Sequence, residues 1–183
     1  MNIKLGTLNI VFVKDHLDLV ARPVSDALSA LDGIEEVGVV EIDQDLSDTG
    51  NFSEHYEIEL NQAANCVIVE AKKGDRRWFA AFVVLGNTRG DVNGLIRKTL
   101  EARRVSFAPM DRAVSLAGME YGAITPIGLP SDWSILIDKA VIDSGYVIIG
   151  SGIRKSKLAV SGKFLATLPN VHVLENLGKL SKE

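Results

Sequence analysis

Cys66-Val67-Ile68-Val69-Glu70-Ala71, the turn Lys72-Lys73-Gly74-Asp75-Arg76, and Trp78-Phe79-Ala80-Ala81-Phe82-Val83-Val84-Leu85 follow one another almost without a break. Two apolar, β-branched runs joined by a short charged turn that contains Gly-Asp predict a hairpin. Antiparallel neighbours of this kind argue against a doubly wound parallel sheet, in which strands and helices alternate throughout. Gly150-Ser151-Gly152 points the same way, because it leads through Ile153-Arg154-Lys155 into another apolar run and opens no helix, as a dinucleotide-binding turn must.

Upstream of the hairpin, Thr7 to Val13 is apolar enough for a strand. His16 to Leu31 carries Leu17, Val20, Val24, Leu28 and Leu31 near helical spacing, with Gly33 as its stop. Val37 to Ile42 predicts a strand, Asp43 to Asn51 a turn and Phe52 to Tyr56 a short helix. Downstream, Asp91 is placed to cap a helix through Arg103, Val105 to Ala108 predicts a strand, and Pro109 with Asp111 starts a helix to about Ala117. Strands are expected at Ser134 to Ile137, Tyr146 to Ile149 and Leu158 to Val160, then a helix over Lys163 to Leu168 stopped by Pro169. No repeat or linker interrupts residues 1–183, so the fold expected is a single α/β domain, a mixed, largely antiparallel sheet surrounded by helices.

The chain has 183 residues, 46% hydrophobic and 24% charged, which is enough for one well-packed core. No apolar run approaches a membrane span and the N-terminus has no leader pattern, so a cytoplasmic protein with no membrane partner is expected. Cys66, the only cysteine, lies in an apolar run and reads as a small buried hydrophobe. His16, His55 and His172 are widely separated and none pairs with Cys66 at zinc-ligand spacing, so no metal or other cofactor is expected. The net charge of -4 conceals an asymmetry: residues 32–59 hold ten carboxylates and no Lys or Arg, leaving 14 acidic against 20 basic residues elsewhere. That excess suits a small directed phosphate contact better than a long nucleic-acid groove. Arg154, Lys155, Lys157 and Lys163, with no carboxylate over residues 151–163, are the candidates for it.

The run Ala117-Gly118-Met119-Glu120-Tyr121-Gly122-Ala123-Ile124-Thr125-Pro126-Ile127-Gly128-Leu129-Pro130 is punctuated by Gly and Pro between apolar segments. By residue chemistry alone Gly122 and Pro126 form a tight turn, or else turn backbone N–H groups toward a ligand carbonyl. Three segments in order, Ala63 to Val69, Tyr121 to Gly128 and Tyr146 to Gly152, resemble the YbaK/prolyl-tRNA synthetase-associated domain family of aminoacyl-tRNA editing domains, over roughly residues 20–170.

The resemblance implies a trans-editing deacylase that removes a wrong amino acid from the acceptor end of tRNA, alone or beside an aminoacyl-tRNA synthetase. It makes Gly122 and Ala123 backbone donors to the ester carbonyl, with Ile124, Thr125, Pro126, Gly150, Ser151 and Gly152 around the acyl group. Each well-placed donor is worth about 3 kcal/mol once the oxyanion forms. Many members carry a lysine at the start of the hairpin's first strand. This chain has Asn65 there, which hydrogen-bonds but brings no charge, so Asn65 is expected to hold the water or the ammonium. A module of the same shape that binds an aminoacyl end without turnover is the alternative. Gly150 and Gly152 also fit a plain turn, and Asn65 a plain cap.

Overall fold

The computed structural model describes residues 3–180. The hairpin forms as read, with its strands longer than expected: β3 (Ala64–Lys73) and β4 (Arg76–Leu85) pair in unbroken antiparallel register from Ala64↔Leu85 to Lys73↔Arg76. Only Gly74 and Asp75 are left in the turn, with Gly74 at φ +60°. Ahead of it come β1 (Val11–Phe12), α1 (Arg22–Ala30), β2 (Gly38–Glu41) and α2 (Thr49–His55). Behind it come β5 (Thr88–Gly90), a π-helical turn Val92–Ile96 running into α3 (Arg97–Thr99), β6 (Arg104–Phe107) and α4 (Met110–Ala117). The chain then forms β7 (Ser134–Asp138), α5 (Lys139–Asp143), β8 (Tyr146–Gly150), β9 (Ser156–Ser161), α6 (Gly162–Ala166), β10 (Val171–Leu174) and β11 (Gly178–Leu180).

The strands form a five-stranded mixed sheet, β10-β7-β4-β3-β6, a four-stranded antiparallel sheet, β1-β2-β9-β8, and the pair β11-β5. β7 runs parallel to both β4 and β10, which makes the larger sheet mixed. Val83, Leu85, Ile135 and Ile137 of the mixed sheet share one core with Val39, Val147, Ile149, Leu158 and Val160 of the antiparallel sheet, and α1 and α6 close it through Leu28 and Leu165. The opposite face of the mixed sheet is sealed by Ile96 and Leu100, that of the antiparallel sheet by Phe52 of α2. Both faces of β4 are therefore covered, which is why Ala80 to Leu85 are buried without alternation.

Several elements differ from expectation. Only Val11–Phe12 of the first predicted strand is paired. The long helix expected over His16 to Leu31 is instead one 3₁₀ turn, Leu17–Leu19, preceded by another at Val13–Asp15 and followed by α1 with Pro23 in its first turn. Proline has no N–H to give to the carbonyl four residues back, so a continuous helix would orphan the Leu19 carbonyl. That carbonyl accepts from the Ser156 hydroxyl instead. α2 starts ahead of Phe52 because Asp48 caps it, accepting from the N–H groups of Gly50 and Asn51 at 3.1 Å each. Asp91 caps its helix as expected, through Gly94 and Leu95, but the first turn is π-helical and the helix ends at Thr99.

The site's position follows from one change of partners along β3. From Val69 onward its outer edge pairs with β6, while just before the strand Ala63 bridges to Ile148 of β8. Between them, residues 64–68 have β4 on one side and no strand on the other. Ladder alternation, anchored by Gly86 N–H donating to the Ala63 carbonyl and Ala108 N–H to that of Ile68, turns the Cys66 N–H and C=O to this open edge.

Candidate functional site

A cavity of about 590 Å³ lies along the open edge of β3. Ala64 to Ile68 form its floor, Ala108 and Ala113 at the β6–α4 junction one wall, and Gly122, Ile124 and Gly150 the opposite wall. Ser47, Asp48 and Thr49, leading into α2, close it together with Lys157 of β9. Phe107, Met110 and Tyr121 stand at the mouth, 65%, 56% and 62% exposed.

The loop after α4 is held by the strand end it faces. Glu120 N–H donates to the Gly152 carbonyl and Gly152 N–H to the Ala123 carbonyl, both at 2.8 Å, while Arg154 N–H reaches the Glu120 carboxylate at 2.6 Å. Gly150 permits the approach: a Cβ on it would lie 2.3 Å from the Ala123 carbonyl oxygen and 2.7 Å from that of Ile124. Gly122, at φ +80°, sits where an L side chain is strained, although a Cβ there would meet only open space. Its N–H, like that of Ile124, has no acceptor among the described residues.

This geometry divides the predicted site residues. Asn65, Gly122, Ile124 and Gly150 line the cavity. Ala123 is buried and its N–H is already given to the Glu120 carbonyl at 3.1 Å, so it is no free donor for an oxyanion. Thr125 is fully buried and its hydroxyl has no partner among the described residues. Pro126 faces away into a separate apolar groove with Leu31, Leu129 and Leu168. Ser151 and Gly152 support the loop from behind: the buried Ser151 hydroxyl bonds to Ser156, and a Cβ on Gly152 would lie 2.4 Å from that of Ala21.

The predicted basic group separates as well. Arg154 and Lys155 are exposed beside the loop, and the Arg154 guanidinium donates to the Gln44 carbonyl at 3.1 Å. Lys163 follows the far end of β9, beyond Ser161↔Tyr146, whereas Lys157↔Gly150 is the end at the cavity. Four residues of strand put the two ends roughly 13 Å apart. Lys157 is buried at 7% exposure, donates to the Ser47 carbonyl at 2.7 Å and lies 5.4 Å from the centre of the Phe52 ring. Burial lowers its pKa to about 8, against the nearby Asp48 charge, which raises it.

Asn65 accepts from the Thr49 hydroxyl at 2.5 Å, leaving its amide nitrogen without a protein partner among the described residues. Asp48 is exposed, and its carboxyl is held below the usual range by the Asn51 N–H first, then by the Asn51 amide, the Gly50 N–H and the Lys157 charge. Burial raises the Cys66 thiol well above its ordinary value, so the sulfur is a wall atom and no nucleophile. Asp48, Thr49 and the buried position of Lys157 escaped the sequence reading. Their signals were a cap motif, Asp48-Thr49-Gly50-Asn51, and a lysine inside an apolar strand, Lys157-Leu158-Ala159-Val160. No three of His, Cys, Asp and Glu gather at metal-binding distance among the described residues.

The cavity is concave and largely apolar, with one cation and a glycine-bearing loop among its lining residues, the general form of a small-ligand site. Residues 43–168 match the family model described as the aminoacyl-tRNA editing domain, and the chain belongs to that family. Among solved structures it is similar to a proposed trans-editing enzyme for prolyl-tRNA synthetase, with 20% identity and a TM-score of 0.71 over 84% of this chain and 94% of that one. A scaffold used in computational epitope grafting gives 21% identity and a TM-score of 0.72, covering 85% and 95%, and a hypothetical protein 17% and 0.68, covering 77% and 90%. These likenesses show the fold; no curated protein matches in sequence. No helix among the described residues is long and apolar enough to cross a membrane.

Two outcomes follow for stability. Gly150→Ala forces the loop carbonyls outward and is expected to cost about 1–3 kcal/mol in urea unfolding. For Lys157 the folded pKa, about 8, lies below the unfolded value of 10.5, so between those pH values the unfolded chain binds more protons and stability rises with pH. The full gain is on the order of 3 kcal/mol. Lys157→Met should lack this rise in pH-resolved melts, and an unchanged slope would contradict the buried-cation assignment.

Proposed function

We propose that this protein hydrolyses the ester joining a wrong amino acid to the terminal ribose of tRNA, acting in trans. The observation that carries the proposal is the combination, in one cavity, of apolar lining from Cys66, Ile68, Ala113 and Ile124 with the polar groups of Asp48, Asn65 and the unspent N–H of Gly122. An aminoacyl ester has matching parts. Its side chain packs on the apolar wall, its ammonium is drawn to the exposed Asp48, and its carbonyl oxygen takes the Gly122 N–H. The ester is activated, so hydrolysis asks for a positioned water and stabilised oxyanion charge, with no strong nucleophile required. The amide nitrogen of Asn65 is available to the water or to the carbonyl, and the neighbouring ribose hydroxyl can relay the proton to the leaving oxygen.

The rim fits a nucleic-acid end. Arg154 and Lys155 are exposed next to the loop and suit the last phosphates, a short contact in keeping with a net charge of -4. Discrimination among amino acids by an apolar wall is graded, about 10–200-fold per methylene, so a preference among small residues is expected. A non-hydrolysing binder of aminoacyl ends is the second reading, favoured by one fact: the Asn65 oxygen is occupied by Thr49 and the residue carries no charge.

With enzyme at about a hundredth of the substrate, a panel of mischarged tRNAs should include at least one pair cleared over many turnovers, and Asn65→Ala should slow it about 10- to 100-fold. No pair exceeding its spontaneous rate would contradict the proposal. A gain of turnover appearing only in Asn65→Lys would support the binder.

A further inference from the structure

Among the described residues, Lys157 is the only cationic side chain lining the cavity, and it is carried at a cost to the fold that a neutral residue of similar length would avoid. An ammonium has three N–H donors. One reaches the Ser47 carbonyl at 2.7 Å, and no acceptor for the other two is present among the described residues. The strand register sets Lys157 directly across from Gly150, and the missing side chain of Gly150 admits the carbonyls of Ala123 and Ile124 from the Gly122 loop. Lys157 and that loop thus meet across one glycine, on the side of the antiparallel sheet that α2 covers through Phe52.

We infer that Lys157 is a catalytic residue whose ammonium donates, together with the Gly122 N–H, to the carbonyl oxygen of the bound ester. The inference rests on the acyl-ester reading of the cavity. As the water oxygen bonds to the carbonyl carbon, the carbonyl π pair moves onto the oxygen and is stabilised by the ammonium. When that pair returns, the carbon–ribose oxygen bond breaks, and the proton lost by the water ends on the ribose oxygen. The ammonium keeps its own protons throughout. The charged or titratable groups around it are Asp48 from the segment before α2, Cys66 of β3, held as a neutral thiol, and Tyr121 at the mouth. Of these, Asp48 acts on the Lys157 charge, and it favours the ammonium.

The test compares Lys157→Met and Lys157→Gln with the wild type in single-turnover deacylation of a pair the wild type clears. Both variants should lose about 100-fold or more in rate, the scale of one oxyanion donor. Affinity for a non-hydrolysable, amide-linked aminoacyl-adenosine should change less than about fivefold, because the charge it stabilises is greatest in the transition state. With a substrate N-acylated on its α-amino group, so that no substrate ammonium titrates in the same range, the wild-type rate should also fall above about pH 8 as the Lys157 ammonium titrates, a limb absent from both variants. Rates within about threefold of wild type, or the same limb in the variants, would overturn the assignment. If no pair is hydrolysed by the wild type, the deacylase reading fails by itself. Lys157 is then judged by NMR: its side-chain ammonium signal must shift when the amide analogue binds, and an unmoved signal refutes the contact.

Discussion

The unpaired half of β3 is the constraint from which the site follows. A strand in the middle of a domain normally fills both edges, but here β6 ends its pairing at Val69 while β8 forms its bridge only at Ala63, so residues 64–68 keep one edge without a paired strand. Leaving backbone donors and acceptors unpaired in the interior is costly. A water-filled or ligand-filled cavity resolves that cost, and the Cys66 N–H and C=O then line that cavity. Every other wall is drawn in around this gap: α4 from one side, the Gly122 loop from the other, and the cap of α2 across the end.

The loop owes its shape to glycines with different duties. Gly150 clears space for two carbonyls, Gly152 clamps the loop with one donated and one accepted hydrogen bond, and Gly122 supplies a positive φ at the cavity surface. The loop is thereby fixed without a ligand, which favours electrostatic stabilisation, since donors already in place need no reorganisation when charge develops. In the mechanism proposed above, Lys157 adds to this field from the neighbouring strand. Its burial weakens the fold near neutral pH, and a charged residue retained against stability is the pattern expected where function requires the charge.

Much of the fold was readable because the hairpin, the caps and the apolar alternation are local signals. Cys66 to Leu85 carry their turn chemistry with them, Asp91 caps as its spacing predicts, and the mixed, largely antiparallel sheet follows. The helix over His16 to Leu31 failed because apolar periodicity outweighed Pro23, whose missing N–H breaks the ladder at Leu19. The candidate site was legible only in part as a place in the fold: Asn65, Gly122, Ile124 and Gly150 come together at one cavity, yet Thr125 and Pro126, adjacent in sequence, turn into the core and a second groove. Lys157 was hidden in a basic run. Its distinction from Lys155 is set by contacts with Ser47, 110 positions away, and with Phe52, which no local pattern encodes.

In the mechanism proposed above, the acyl carbonyl lies between the Gly122 loop and Lys157 at the open edge of β3. A crystal structure of the protein with an amide-linked aminoacyl-adenosine tests it most directly. The carbonyl oxygen is expected within hydrogen-bond distance of both the Gly122 N–H and the Lys157 ammonium, with the amino-acid side chain against Ile68 and Ile124. An acyl group seated in the groove beside Pro126 and Leu129, or one whose carbonyl meets neither donor, would contradict it.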